Sequence, residues 1–514
     1  MTTTQPTRRR SLLGGAAAFA ATAVAGVKLD AVLAGPAFAA PAAPAGLVSA
    51  DPIAHLLRRA TFGPTPAALA EATRLGVAGW LAWQLDPAGI DDSALDALLT
   101  RLPLANGDIA TVRSRLALRS YDAFRQLGRA AVARAIWSNR QLFETAAAFW
   151  ANHLHIAAPS SGGWDSRSDY DLTVTRRHTF GRFADMLKAS VRHPAMLTYL
   201  NNRNSTKARP NENYARELME LHTVGMIYSE ADVRAAAQLL TGLTVDSAGA
   251  YTFDATRHAT GPVTILGFKH ANGTATGGEA AALAFADYLA VHPATARRIA
   301  TKLCLRFVAD EAPDALVDKL AQVYLDNGTA LAPVLKALFT SAEFAASAGQ
   351  KMRTPFEDLT ATVRTLGLGM ETAGVQALDA LYYDLVGAGN APFRWSPPNG
   401  FPDVAAAWAS PSAFLLRCNL HLNLATGWYP KQLTRPADLL KALVPVLPAT
   451  YGALVDALAQ RLIGTTLPAA QVAAVLSVAD KGPANPLTST DKQLAGSAPY
   501  LIALVLDSPS FQVR

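Results

Sequence analysis

Asn211-Glu-Asn-Tyr-Ala-Arg-Glu-Leu-Met-Glu-Leu-His222 follows Arg209-Pro210 and reads as one helical segment. Asn211 stands where an N-cap is needed, just after a proline that interrupts any preceding helix. At about 100° per residue, Glu212, Arg216, Glu220, Asn213 and Glu217 share a polar arc of about 140°. Tyr214, Leu218 and Leu221 form a second, apolar arc. An Arg216–Glu220 pair four residues apart is expected on the polar arc, worth a few tenths of a kcal/mol. His222 projects about 140° from Glu217 and about 160° from Glu220, outside that arc.

The same three- and four-residue spacing of apolar positions recurs through 53–60, 67–85, 92–102 and 111–155, then 278–291, 294–308, 313–325, 330–345 and about 410–514. The fold expected is therefore mainly α, a large multi-helical domain. One small β-hairpin insertion is expected near 249–269. There Tyr251-Thr-Phe253 and Val263-Thr-Ile265 alternate on either side of a polar loop. Pro159-Ser-Ser-Gly-Gly163 stops the first helical region, and the Gly/Pro/Asn-rich piece 387–403 reads as a long loop, of the kind that often carries function. The expected organisation is a signal at 1–39, an Ala/Pro tether at 40–50, a main helical domain at 51–430, and a C-terminal helical part at 431–514 packed on it.

The chain has 514 residues, of which 50% are hydrophobic and 17% charged. Such a composition excludes a disordered or fibrous chain. Two cysteines, Cys304 and Cys418, exclude a disulfide scaffold and a cysteine-based zinc site. Arg8-Arg9-Arg10 precedes Ser11-Leu12-Leu13 and an uncharged Ala-rich run to Val27, and Ala37-Phe38-Ala39 offers a cleavage point. This is the order of a secretory signal, and Arg9-Arg10 fit the twin-arginine type, with the Sec route as the alternative. The expected location is periplasmic or extracellular. The signal holds four of the 46 basic residues and one of the 40 acidic ones, so the net charge of +6 falls to +3 without it. No basic cluster with interleaved aromatics remains, so no nucleic-acid partner is expected. No later apolar run is long enough for a membrane span.

Common catalytic signatures are absent: there is no Gly-x-Ser-x-Gly elbow, phosphate loop, His-Glu-x-x-His or early dinucleotide fingerprint. Phe149-Trp-Ala-Asn-His153-Leu-His155 carries two histidines that diverge by about 200° on a helix, so one of them is expected to serve a site. His153 shares a stripe with Phe149 and Trp150, which points it inward. Glu217 and Glu220, three apart, can approach one metal as carboxylate-bundle sites do. The candidate catalytic residues are Glu217, Glu220, His153 and Arg216. The candidate substrate-binding residues are Asn152, Asn213, Glu212, Trp150 and His258, the last in the hairpin loop. His153, Glu217 and Glu220 are the candidate metal ligands, for a divalent or transition metal. His178 and His193 form a third group with His258, whereas His270, His292 and His421 read as incidental.

Several segments together resemble the bacterial family called domain of unknown function 1800. They are His55-Leu-Leu-Arg-Arg-Ala-Thr-Phe-Gly-Pro-Thr-Pro66, Phe149-Trp-Ala-Asn-His153, Pro194-Ala-Met-Leu-Thr-Tyr-Leu200, Asn211 to Gly225, Thr241-Gly242, Lys302-Leu to Phe307-Val308, and Pro398-x-Gly400-x-Pro402. The resemblance implies an exported, mainly helical bacterial protein, often made beside a second exported protein of the alkaline-phosphatase-like class. It implies no activity. This chain departs from the family pattern at Leu243, Ala259, Val263 and Phe401, and the Asp usually following the hairpin histidine is Ala259 here.

Three functions fit these residues. The first is a metal- or cofactor-dependent enzyme, a hydrolase or oxidoreductase, using a His/Glu/Asn/Arg cleft. The second is a non-catalytic envelope protein that binds a surface polymer or a co-exported partner. The third is a metal-free glycoside hydrolase with paired carboxylates.

Overall fold

A computed structural model describes residues 47–160 and 162–514. The signal expected at 1–39 and the expected tether as far as residue 46 lie outside them. Among the described residues there are 24 α-helices and four short strands, and the strands all fall between residues 243 and 270.

The helices that position the site begin with α1 (Pro52–Ala60), where Asp51 accepts hydrogen bonds from the amides of Ile53 and Ala54 and Pro52 opens the first turn. Next come α2 (Asp122–Trp137), α3 (Gln141–His153) and α4 (Arg167–Tyr170). A π-helical turn, Asp171–Arg176, continues α4. α5 (Glu212–Glu217) is capped by Asn211, whose side chain accepts from the Tyr214 amide at 3.3 Å. The cap therefore sits where the spacing places it. Beyond Glu217 the helix widens into a second π-turn, Leu218–His222. Hydrogen bonds there reach five residues rather than four, so the uniform 100° projection fails past Leu218. His222 is buried there, not carried away from the helix's inner face.

α6 (Glu230–Leu239) follows. The β insertion is present and comprises two hairpins. β1 (Leu243–Val245) pairs antiparallel with β2 (Tyr251–Phe253), and β3 (Val263–Ile265) with β4 (Phe268–His270). Tyr251–Phe253 thus pairs backward along the chain and not with Val263–Ile265. Two turns decide this. Asp246 caps the first turn through the Ala250 amide. Leu266 and Gly267 both hold positive φ, 49° and 90°, as a two-residue hairpin turn requires.

Four further helices complete the frame: α7 (Pro293–Phe307), α8 (Pro355–Thr365), α9 (Pro411–Thr426) and α10 (Lys492–Leu506). Thr354 and Glu357 form a reciprocal capping box at the start of α8. Two large apolar cores result. One gathers residues from Leu56 to Phe344. The other joins Ala130, Leu359 and Leu378 to Leu454, Leu458 and Leu501, so residues on both sides of position 430 share it. No described helix is long and apolar enough to cross a membrane.

Candidate functional site

The C-terminal end of α3 separates two polar regions. Asn152 and His155 face one, and His153 faces the other. The divergence expected of the two histidines is observed, because α3 ends at His153 and the chain turns away.

The first region is a cleft of about 140 Å³. Its charged lining comprises Arg134, Arg176 and Arg306 with Glu144, Asp171, Glu357 and Asp403, and Phe62, Phe149, Phe356, Phe393 and Phe401 supply its apolar surface. Arg176 grips Glu144 with two hydrogen bonds, at 2.8 and 2.7 Å. The π-turn after α4 presents that guanidinium to α3. Arg134 lies 3.7 Å from Asp171. Arg306 of α7 bonds Glu357 at 2.6 Å and approaches Asp403 at 3.5 Å, and Arg514 adds a second bond to Glu357 at 3.0 Å.

Burial alone would raise the Glu144 carboxyl, but Arg176, with Arg134 and Arg140, outweighs it and holds the group below its usual range. Glu357 follows the same logic: Arg306 and Arg514 overcome the cost of burial and hold it low. Burial also pushes His155 down to about 4, so its ring is neutral at pH 7.

The loop 387–403 forms one wall and is pinned to the chain after α3. The Asn152 side chain donates to the Phe401 carbonyl at 2.9 Å and accepts from the Phe401 amide at 2.7 Å. His155 Nε2 meets the Trp395 carbonyl at 2.7 Å, and the Ala158 amide donates to the Phe393 carbonyl at 2.8 Å. Gly400 has φ 75°, and a Cβ there would collide with the Asn152 backbone carbonyl and side chain. Only glycine permits the clamp.

The second region lies between α3, the π-turn after α5, and α7. His153 Nε2–H donates to the His222 carbonyl at 3.0 Å, which leaves Nδ1 to accept from Lys302 Nζ at 3.2 Å. Arg298 stands one turn before Lys302 on α7. Burial, then Arg298, pushes the Lys302 amine down to about 7. Burial, then Lys302 and Arg298, pushes His222 down to about 3.

The residues singled out from the sequence are dispersed. Both ring nitrogens of His153 are engaged, and among the described residues no three His, Cys, Asp or Glu side chains stand together as a metal set. His153, Glu217 and Glu220 therefore do not form the expected ligand group, because Lys302 occupies the place beside His153. Arg216 pairs with Glu230 at the start of α6, through two bonds of 2.8 Å, and not with Glu220. Glu220 instead accepts from the Tyr228 hydroxyl. Burial, then Glu220, raises the half-buried Glu217. Glu212 and Asn213 are exposed on the first turn of α5. Trp150 is a core residue whose indole donates to the Thr179 carbonyl at 3.2 Å. His258 is buried as an anchor, with Nδ1 at 2.8 Å from the Thr241 carbonyl and Nε2 at 2.8 Å from Asn272 Oδ1. Asn272 takes the neighbouring place that Ala259 leaves empty of an acidic partner.

The sequence reading passed over Glu144, Arg176, Arg298 and Lys302. Lys302 alone carried a signal, as the first residue of one motif shared with the family. No curated protein and no solved structure matches the chain. The family model described as "Protein of unknown function (DUF1800)" matches residues 55–513. With nearly the whole chain covered and the Asn152 and Lys302 segments inside the match, the protein belongs to the DUF1800 family.

Proposed function

We propose that this is an exported, non-catalytic binding protein whose cleft takes a neutral, polyhydroxylated ligand, such as a segment of a surface saccharide. The observation that carries this reading is the cleft's charge pairing. Three guanidinium groups face four carboxylates, and Glu144 and Glu357 are already held by arginines. Such a lining has no net attraction for an anion, and Glu144 and Glu357 are held in their charged form. It does present fixed donors and acceptors side by side, which suits hydroxyls that both donate and accept. Aromatic faces supply the apolar surface on which a sugar ring stacks. Outside the cleft the row continues, with Trp395 and Trp408 flanking Phe401 at 5.2 and 6.0 Å between ring centres.

The test is titration of the full chain against neutral oligosaccharides, followed by Gly400→Ala. Wild type is expected to bind at least one. Gly400→Ala, which forces the wall off Asn152, should weaken it about tenfold or more with little loss of secondary structure. Binding of charged ligands only, or unchanged affinity in Gly400→Ala, overturns the reading.

The Arg9-Arg10 pair and the Ala37-x-Ala39 pattern support export by the twin-arginine route. Arg9→Lys with Arg10→Lys should leave the precursor in the cytoplasmic fraction on immunoblotting; undiminished export would favour the Sec route.

A glycoside hydrolase remains the second reading on one observation. Burial, then Glu220, raises Glu217, as suits a general acid, while Glu220 three residues on accepts a hydrogen bond from Tyr228. Release of reducing ends by wild type, lost in Glu217→Gln, would favour hydrolysis over simple binding.

A further inference from the structure

We propose that the basic cluster between α3, the π-turn after α5 and α7 is a binding site for a compact oxyanion, either inorganic phosphate or the phosphate group of a larger ligand. It is separate from the saccharide reading, since its side chains do not line the cleft.

The argument begins with charge that has no partner. Arg298 and Lys302 stand four residues apart on α7 and are both half-buried. Among the described residues neither forms an ion pair. Lys302 has one side-chain hydrogen-bond partner, a ring nitrogen of His153. Among the described residues the Arg298 side chain makes no hydrogen bond, and its Nε is buried without a partner. Two desolvated cations held together without a counter-charge are costly, and proteins ordinarily neutralise them.

Independent of the two cations, His222 is 1% exposed, and its Nε2 has no hydrogen-bond partner. Natural interiors rarely leave a buried ring nitrogen unpaired unless something absent from the polypeptide completes it. His222 ends the π-turn, its carbonyl is tied through His153 to Lys302, and the charges of Lys302 and Arg298 both act on its ring, so the feature that broke the helical projection also builds the cluster. Gly225 contributes by omission: a Cβ there would lie 3.2 Å from an Arg298 Nη, so glycine leaves the guanidinium room.

The carboxylates nearby do not fill the role. Glu220 is the acid whose field reaches Arg298, yet it accepts from Tyr228 and does not close to an ion pair. Glu217 is raised, as a carboxyl without a cationic partner in contact would be. A guanidinium, an ammonium and a neutral imidazole together offer the charge and several N–H donors that an oxyanion accepts. The lowered Lys302 amine agrees with a site short of negative charge.

The experiment uses the full chain with three probes: inorganic phosphate, sulfate, and a phosphomonoester of a simple sugar. Calorimetry and thermal unfolding are read for each up to about 10 mM. Binding of phosphate with a rise in Tm, weakened about tenfold or more in Lys302→Met and in Arg298→Gln, is the expected result. Equal binding of sulfate supports a general oxyanion site. Binding of the monoester alone supports the site as a phosphate-group pocket of a larger ligand. If the variants fail to fold, wild-type crystals soaked in tungstate decide, through an anomalous peak between Lys302, Arg298 and His222. No heat, no shift in Tm and no such peak overturns the proposal, as does full-strength binding in both variants.

Discussion

Arg176→Ala is expected to lower the stability of the fold by about 3–5 kcal/mol, because it strands a buried carboxylate. Glu144 is 6% exposed and takes both of its charge-assisted hydrogen bonds from Arg176. Urea unfolding at pH 7 measures the loss. The pH dependence gives the cause away. In wild type the folded Glu144 carboxyl lies below its unfolded value, so its contribution is present above about pH 4.5 and fades as pH falls through the lower, folded value. Without Arg176, burial dominates and the carboxyl rises. Acidification then neutralises the stranded charge, and the gap between variant and wild type narrows from pH 7 toward pH 5. A gap that is constant over this range would mean that the loss comes from packing. Replacing both partners by apolar residues, Arg176→Met with Glu144→Leu, should recover much of the stability while leaving the cleft without its charged floor.

His421→Ala is expected to cost a similar amount, with the opposite pH signature. The ring is wholly buried on α9, with Nε2 at 3.0 Å from Asp358 of α8 and Nδ1 at 2.7 Å from Asp507, just past α10. Burial would lower this imidazole, but Asp358 and Asp507 together raise it from 6.5 to about 9. A folded value above the unfolded one stabilises fully below pH 6.5 and is lost as pH climbs through about 9. The shift corresponds to a contribution on the order of 3 kcal/mol. Wild-type Tm should therefore decline between pH 6.5 and 9.5, in a range where most proteins are indifferent. His421→Ala should be unstable throughout and lack that decline, since Asp358 is left buried opposite no cation. A flat wild-type profile would sink the assignment.

These two linkages also mark where sequence reading stops. The helix start at Asn211 was legible because its signal is local, a cap accepting from an amide three residues on, whereas Thr354-Pro355 carries the same kind of signal and the helix Pro355–Thr365 went unread. Site chemistry was less legible. Arg176 meets Glu144 from 32 residues away, Lys302 meets His153 from 149, and His421 takes partners 63 and 86 residues distant. Periodicity carries no information over such separations, so His421 read as incidental and Arg216 was matched to Glu220, a neighbour on its own helix. The π-turn at Leu218–His222 is a subtler failure. Nothing in Leu-Met-Glu-Leu-His announces a change from four-residue to five-residue hydrogen bonding, since tertiary packing decides it. Asn152 was identified as a binding residue, and it does border the cleft. Its side chain is spent on the Phe401 backbone, however, so it shapes the wall rather than reaching a ligand with both of its groups.

The wall made by residues 387–403 is fastened at Phe393, Trp395 and Phe401 to a rigid helix end. A loop of that length would ordinarily have to be ordered when a ligand arrives, and each immobilised residue would subtract from affinity. Here that ordering was completed during folding. On the binding reading proposed above, a weakly attracting cleft would gain selectivity by shape: a ligand too bulky for the fixed opening would be refused, and one that fits would forfeit only its own freedom.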